Sequence, residues 1–419
     1  MLQAMPKQRS LWTNRNFILL LSGQFVSWIG TEVSGITLPL LVLALTHSTQ
    51  QAGLIAALRG LVYVIWSLPA GALIDRWDRR LVMIGGNLGS GLAMGSICLA
   101  LLLHHLTVLQ LYLAGAIEGS FFVFANLARF AATIQMVDTD HRPAASAHIN
   151  AASYSAEFIG PALGGALYQA AGPALSFLVD SLSYAINTVS LLFIDIPLRG
   201  GGPRSETALV REIREGIVWV VGQPLLRFLI AISSVNIMLD SGEYLLIIVL
   251  AKHAHASVGV IGTLFAIGAL GGFSGSLCAN RLRQRFGFRA MITATTIAIF
   301  VTFFLYAFAS TTVAIGAITF VFTAIEPIFL ITGGSYTATL IPDALRGRVS
   351  GISRLLELGA YALGFLTMGT LLDKAGITAS ILVFSSVLLI VAVMTLLHPT
   401  MRSVSSVRPG QQKDAPAQR

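Results

Sequence analysis

Long apolar runs broken by short polar stretches set the rhythm of this chain. Runs fall near 16–46, 50–70, 81–103, 107–137, 145–170, 173–195, 226–251, 257–280, 288–310, 312–341, 347–372 and 376–397. Each is long enough to cross a bilayer as an α-helix, which takes about 20 residues. The pattern predicts an all-α integral membrane protein of twelve transmembrane helices. One segment, 197–224, breaks the rhythm. It opens with Arg199-Gly200-Gly201-Gly202-Pro203 and passes through Ser205-Glu206-Thr207 into Leu209, Val210, Ile213, Ile217, Val220 and Val221. That is the signature of a capped amphipathic helix lying in a membrane interface. The expected organisation is a six-helix half over 1–196, an amphipathic linker over 197–225 and a second six-helix half over 226–399. A disordered polar tail is expected over 400–419.

Charge gives these runs an orientation. Sorting the Lys and Arg outside the runs puts Lys7, Arg9, Arg15, Arg76, Arg79, Arg80, Arg142, Arg199, Arg204, Arg211 and Arg214 on one side. Arg281, Arg283, Arg285, Arg289, Arg346, Arg348, Arg402, Arg408, Lys413 and Arg419 follow them, and Lys252 and Lys374 fall opposite. Lys and Arg concentrate in cytoplasmic loops, so both termini are expected in the cytoplasm. A missed or invented helix would have swapped the later charges across the membrane. The first run, at about 30 residues, is too long for a signal-peptide core and lacks a small-residue cleavage site, so it is expected to remain as the first helix.

Composition agrees with this class. With 55% apolar and 11% charged residues and a mean hydropathy of +0.78, the chain departs from soluble domains, where about 25% of residues are charged. The net charge of +8 is read through topology, since no soluble domain offers a basic face to a nucleic acid. Cys98 and Cys278 lie inside apolar runs, and no cluster has metal-ligand spacing, so neither a disulfide framework nor a metal is expected. No Walker phosphate loop and no Ser/His/Asp constellation is present, and His104-His105 sits in a loop. The chain is expected to be neither an enzyme nor an ATP-driven pump, and to carry no cofactor.

The most charged stretch of the first 125 residues is Gly71-Ala72-Leu73-Ile74-Asp75-Arg76-Trp77-Asp78-Arg79-Arg80, between runs two and three. Arg76-Trp77-Asp78-Arg79-Arg80 is echoed 209 positions on by Arg285-Phe286-Gly287-Phe288-Arg289. At an offset of 204, Arg142, Gly160, Gly165 and Gly172 align with Arg346, Gly364, Gly369 and Gly376. Two echoes at nearly one offset point to a duplicated six-helix unit around a central cavity. A ligand site is expected at the interface of the two halves near mid-membrane.

These residues carry a resemblance to the major facilitator superfamily of transporters. Gly71 to Arg80 is similar to that family's loop signature G-x-L-x-D-R-x-G-R-R, with Asp78 where a glycine is usual. Gly160-Pro161-Ala162-Leu163-Gly164-Gly165 resembles the Gly-Pro-x-x-Gly-Gly run of its drug-proton antiporters, with Ala156 at the upstream glycine. Leu45-Thr46-His47-Ser48, Gly216 to Arg227 and Arg346-Gly347-Arg348-Val349 look most like the macrolide-efflux and enterobactin-exporter branch. The resemblance implies that Asp75, Arg76, Arg79 and Arg80 form a cytoplasmic gating latch. Gly160, Pro161, Gly164 and Gly165 would bend the fifth helix and seal it against a neighbour. Plain topogenic charge and ordinary helix packing remain the alternatives for the two motifs.

Ionisable groups inside the runs are costly in hydrocarbon and so mark cavities or pathways. Glu32, Glu118, Glu157, Asp180, Asp240, Glu243, Glu326 and Glu357 stand against Arg59, Arg129 and Arg354, with Arg227 and His148 nearer an interface. Burial without a partner disfavours the charged form. The surplus acids are therefore expected to hold protons, face water or meet a cationic ligand. Glu32 ranks first, Asp240 and Glu243 next, and Glu118 and Glu326 after them, for proton coupling or substrate binding. Arg129 is expected to pair with Glu157 or Glu118, Glu357 with Arg354 one turn away, and Asp180 to reach water. Aromatic cavity walls could come from Phe25, Trp28, Phe121, Phe122, Phe124, Phe322 and Phe329.

The reading is a proton-coupled exporter of small amphiphilic molecules such as drugs, macrolides or siderophores. Its expected home is the bacterial inner membrane. Expected partners are a cationic amphiphile, protons and membrane lipids, with no nucleic acid, and the expected state is a monomer. An uptake symporter and a non-transporting binding protein or flippase of the same fold stay open.

Overall fold

The computed structural model describes residues 11–74, 76–195, 206–342 and 345–399. The expectations for Asp75, for residues 196–205 and for the tail from 400 lie outside them, as does the side chain of Arg346. Among the described residues there are thirteen α-helices and no strand. They are α1 Arg15–Thr46, α2 Thr49–Ile74, α3 Arg79–Leu102, α4 Val108–Met136, α5 Arg142–Ala171, α6 Pro173–Leu192, α7 Glu206–Gly222, α8 Pro224–His253, α9 Val258–Arg285, α10 Phe288–Leu305, α11 Thr312–Leu340, α12 Arg346–Lys374 and α13 Gly376–Leu397. Twelve coincide with the apolar runs, with ends shifted by at most five residues, and α7 is the interrupting segment. Ten of them are long and apolar enough by themselves to cross a membrane. The other two, α2 and α5, keep their places in the alternation.

Sharp stops separate the helices. His104 and His255 adopt left-handed backbone at φ 57° and φ 56°. The next amides, of His105 and Ala256, donate back to Ala100 and Ala251. This closes α3 and α8 in the Schellman manner and explains His104-His105 without a metal. Gly172 and Gly376 sit at φ 77° and φ 81°, each between two helices that the 204-residue echo aligns. The backbone there would strain any side chain. At the start of α3, Asp78 accepts hydrogen bonds from the amides of Arg80 at 2.8 Å and Leu81 at 3.3 Å. With φ at −68° it is an ordinary N-cap, so the position needs no glycine.

By contacts the chain divides into two compact units. One comprises Met1–Leu41 and Leu61–Ser205, the other Val42–Gly60 and Glu206–Arg419. In the first, α3 packs on α4 and α6, and α5 presses on α1: a methyl placed on Gly164 would lie 2.8 Å from Ile36 Cγ2. In the second, α9 packs on α11 and α12 on α8, where a methyl on Gly364 would collide with the Met238 carbonyl and Ser241 Oγ. Hydrocarbon supplies no hydrophobic drive between helices. Close approach at small residues, with its dispersion energy, does this work instead. The tip of the α1–α2 hairpin belongs to the second unit. There Asp373 of α12 accepts from the Thr49 amide at 3.1 Å and Ser48 Oγ at 3.0 Å, capping α2 from another helix. Helix α7 docks through Gly216 on Arg348 and Ile352, through Val220 packed with Leu226, Ile230 and Val349, and through Glu215 paired to Arg348 at 2.8 Å.

Two outcomes are expected. Gly364→Ala lowers stability by about 1–3 kcal/mol through overpacking, read as a lower thermal midpoint in detergent. Gly359→Ala on the same helix, where a methyl meets nothing within 4 Å, leaves the midpoint level or raises it; equal behaviour of the two would refute the close α8–α12 contact. Asp373→Ala removes a cap worth about 1 kcal/mol. It should speed hydrogen exchange of the amides in the first turn of α2, with Asp373→Asn near native.

Candidate functional site

In the second unit the sequence-predicted acids converge. Asp240 and Glu243 are one turn apart on α8 and share a face, and the Asp240 carboxyl lies against that of Glu326 on α11. A carboxylate only accepts hydrogen bonds, so these two can bond each other only when one of them carries a proton. Glu243 is 3% exposed and receives the hydroxyl of Tyr306. Tyr306 Oη also lies 2.9 Å from Thr319 Oγ1, which reaches the Ile315 carbonyl at 2.9 Å. This chain can run in two directions. With Glu243 ionised, Tyr306 donates to it. With Glu243 protonated, Glu243 donates to Tyr306, Tyr306 to Thr319 and Thr319 to the carbonyl.

Tyr306 occupies this position because α10 is shorter than its apolar run, expected to continue to 310. The helix ends at Leu305 and tightens into a 3-10 turn over Tyr306–Phe308, turning the Tyr306 ring inward, 1% exposed. A cavity of about 130 Å³ adjoins the acids, lined by Asp240, Glu243, Thr319 and Thr323 together with Tyr244, Phe265, Tyr361 and Phe365. The rings of Tyr244 and Phe265 stack at 4.3 Å, and Phe365 meets Tyr361 and Tyr244 edge-on at 5.0 and 5.9 Å. Carboxyls among aromatic faces suit a cationic group with an apolar body.

The first unit pairs its acid in a similar way with different helices. Glu118 of α4 is buried and accepts from Tyr184 Oη of α6 at 2.6 Å, and Tyr184 meets Thr31 of α1 at 3.1 Å. Glu32, next along α1, is half-buried with its Cβ against Gly160 of α5. Gly160, Pro161, Gly164 and Gly165 are all buried, and α1 is the neighbour that Gly160 and Gly164 admit. Arg129 joins neither Glu157 nor Glu118. Its Nη2 donates to Asn126 Oδ1 at 2.7 Å, and its guanidinium lies 5.0 Å over the Trp28 ring. The α4 register favours this, since Asn126 is one turn before Arg129 while Glu118 lies three turns away. Asp180 does not reach water: it is fully buried, well inside α6 where Gly30 of α1 lets that helix approach. Glu357 and Arg354 form the expected ion pair at 3.7 Å.

The loop arginines have definite tasks within this unit. Arg79, buried, donates to the Ala131 carbonyl of α4 at 3.5 Å. Arg80 donates to the Leu192 carbonyl, the last of α6. Leu192, the last residue of α6, has a carbonyl with no intrahelical donor, and the macrodipole there favours a cation. Arg76 is exposed, and Trp77 stacks toward Phe124 at 6.5 Å.

Tyr184, Tyr306, Tyr244, Phe265, Tyr361 and Phe365 were not singled out from sequence. Tyr184 had a legible signal, since Asp180, Ser183, Tyr184, Asn187 and Thr188 form a polar stripe at helical spacing. The aromatic walls come from three helices far apart in the chain, with no local pattern to join them. Of the aromatics that were named, Trp28 lies under Arg129, while Phe322 and Phe329 are core residues.

Among the described residues, no cluster of three or more His, Cys, Asp or Glu could hold a metal ion. Enterobactin exporter EntS of Shigella flexneri is 24% identical to the chain over 387 residues, 92% of each. The protein of the same name from Citrobacter koseri is 24% identical over 362 residues, 86% of each. Among solved structures, a bacterial homolog of the human lysosomal transporter Spinster, inward-facing, superposes with a TM-score of 0.75 at 13% identity, over 94% of this chain and 98% of that one. A bacterial homologue of the iron transporter ferroportin, also inward-facing, does so with 0.72 at 16%, over 95% and 100%. These structures share the fold. A family model described as Major Facilitator Superfamily matches residues 20–242 and 229–419. The chain is a multi-pass membrane transporter, not an enzyme, and it belongs to the Major Facilitator Superfamily.

Proposed function

We propose that the chain is a proton-coupled secondary exporter of amphiphilic small molecules such as siderophores, macrolides or other drugs, working by alternating access. Its setting in this reading is a bacterial inner membrane, with both termini cytoplasmic. The observation that carries the proposal is the pair Asp240–Glu326, two carboxyls set against each other, with Asp240 lining an aromatic-walled cavity. Such a pair can release a proton as a positively charged group arrives, so that its net charge is the same before and after the exchange. The Tyr306 and Tyr184 chains support it, because they can reverse direction as Glu243 and Glu118 gain or lose a proton. Glu32, packed on Gly160 of α5, is assigned the coupling acid of the first unit, placed where closure of that helix would alter its surroundings. The relatives' shared name favours siderophores among the candidate substrates. Asp75, by its place in the loop signature, is assigned to the gate.

The test is efflux of a cationic amphiphilic dye from proteoliposomes under an imposed pH gradient. Native protein should move the dye against its gradient and dissipate the proton gradient. Glu32→Gln and Asp240→Asn should each abolish proton-driven efflux, and Asp75→Asn should slow turnover with dye binding nearly intact. Full gradient-driven transport by both Glu32→Gln and Asp240→Asn would overturn the acid assignments. Dye and protons moving in the same direction would replace export with symport. Secretion of an iron chelator or resistance to a macrolide, in a bacterial host lacking its own pumps, then selects the substrate class.

A further inference from the structure

Arg129 is a fixed positive charge that the carboxyl chemistry above does not use. It lies in α4, on an otherwise apolar stretch, and its partners among the described residues are the side-chain oxygen of Asn126 and the face of Trp28. No described carboxylate is paired with it, and its Nε–H is buried without an acceptor. The space beside it is a cavity of about 10 Å³ walled by Phe17, Leu20, Leu21 and Ile149, with Gln24, Trp28 and Arg129 as its polar-bearing members. Gln24 Oε1 accepts from Asn187 Nδ2 at 3.4 Å and keeps one lone pair, while its NH₂ adds donors to those of Arg129. The site therefore presents donors. A water there would fill about one probe's volume, yet among the lining side chains its two hydrogens would find at most the one lone pair left on Gln24. A species that only accepts, and carries negative charge, fits better.

We propose that Arg129, with Gln24 and Trp28, is an oxyanion-recognition point of the first unit. It takes a planar oxyanion, a carboxylate above all, attached to an apolar body. One oxygen fills the small cavity and meets the buried Nε–H. The rest of the molecule lies along the Trp28–Arg129 face, because the cavity admits no more than that oxygen. A transported amphiphile recognised here then carries an anionic end. The inference rests on the transport reading only in taking this ligand to be the transported molecule.

Two probes of nearly the same size and opposite charge, benzoate and benzylamine, test it by equilibrium binding to purified protein in nanodiscs with no gradient imposed. A failure of proton-coupled export therefore leaves this measurement intact. Native protein should bind benzoate more tightly than benzylamine. Arg129→Gln should weaken benzoate by about tenfold or more, as loss of a charge-assisted pair does. Arg129→Lys, which keeps the charge and loses the fork, should fall between. Benzylamine affinity should hold or improve in both. Should Arg129→Gln fail to fold, benzoate must still protect Arg129 of native protein from phenylglyoxal, read by mass spectrometry, and benzylamine must not. Benzoate binding that is indifferent to Arg129, or absent protection, overturns the proposal and assigns the cavity to water.

Discussion

Hydrocarbon offers a carboxyl group no solvent to accept or donate, so every acid placed there needs a donor or a proton of its own. Much of the interior of this protein is arranged around that demand. Glu118 draws Tyr184 and Thr31 from two other helices, and Glu243 draws Tyr306 and Thr319 in the same way. Asp240 and Glu326 lie against each other, an arrangement that one proton between them would satisfy. Each solution ties together helices that are far apart in sequence. Breaking one costs more than in a soluble core, because the freed group has nowhere to go. A transporter can exploit the same property. A bond whose direction depends on one proton gives two packings of similar cost, and alternation between discrete packings is how small changes in charge become movements of helices.

Such bonds form only if helices come close enough, and here small residues act. Gly160 of α5 and Gly364 of α12 admit α1 and α8 respectively, at positions matched by the internal repeat. The duplicated sequence thus reappears as duplicated packing, each instance inside its own unit. The polar pairings are not copied along with it. The tyrosine that serves the acid comes from α6 in one unit and from the end of α10 in the other. The scaffold is repeated while the chemistry it holds has diverged.

The helices were almost fully legible in the sequence, because a lipid environment forces backbone hydrogen bonds to close within each segment and leaves one readable variable, apolar length. The acids were legible for the same reason, since charge in an apolar run stands out. Which acid meets which partner was not. Arg129 was assigned a carboxylate partner on charge alone, yet it rests on Trp28 and Asn126, and Asp180 was assigned to water on its position near a helix end, yet it is fully enclosed. Pairings of this kind depend on helix rotation and on which neighbour a glycine admits, and the pattern of a single helix encodes neither. The inward turn at Tyr306 was hidden as well, since the apolar run continues past the point where the helix tightens.

The cap on α2 also dictates an order of events. Thr49 and Asp373 are 324 positions apart, so the amide at the start of the second helix finds its acceptor only when nearly the whole chain has been made. At about 5–20 residues per second this interval is on the order of tens of seconds. Through it the α1–α2 hairpin must persist in the bilayer with its tip unfinished. The contact fastens the α1–α2 hairpin to a helix made much later, so that synthesis of α12 is registered at the start of α2.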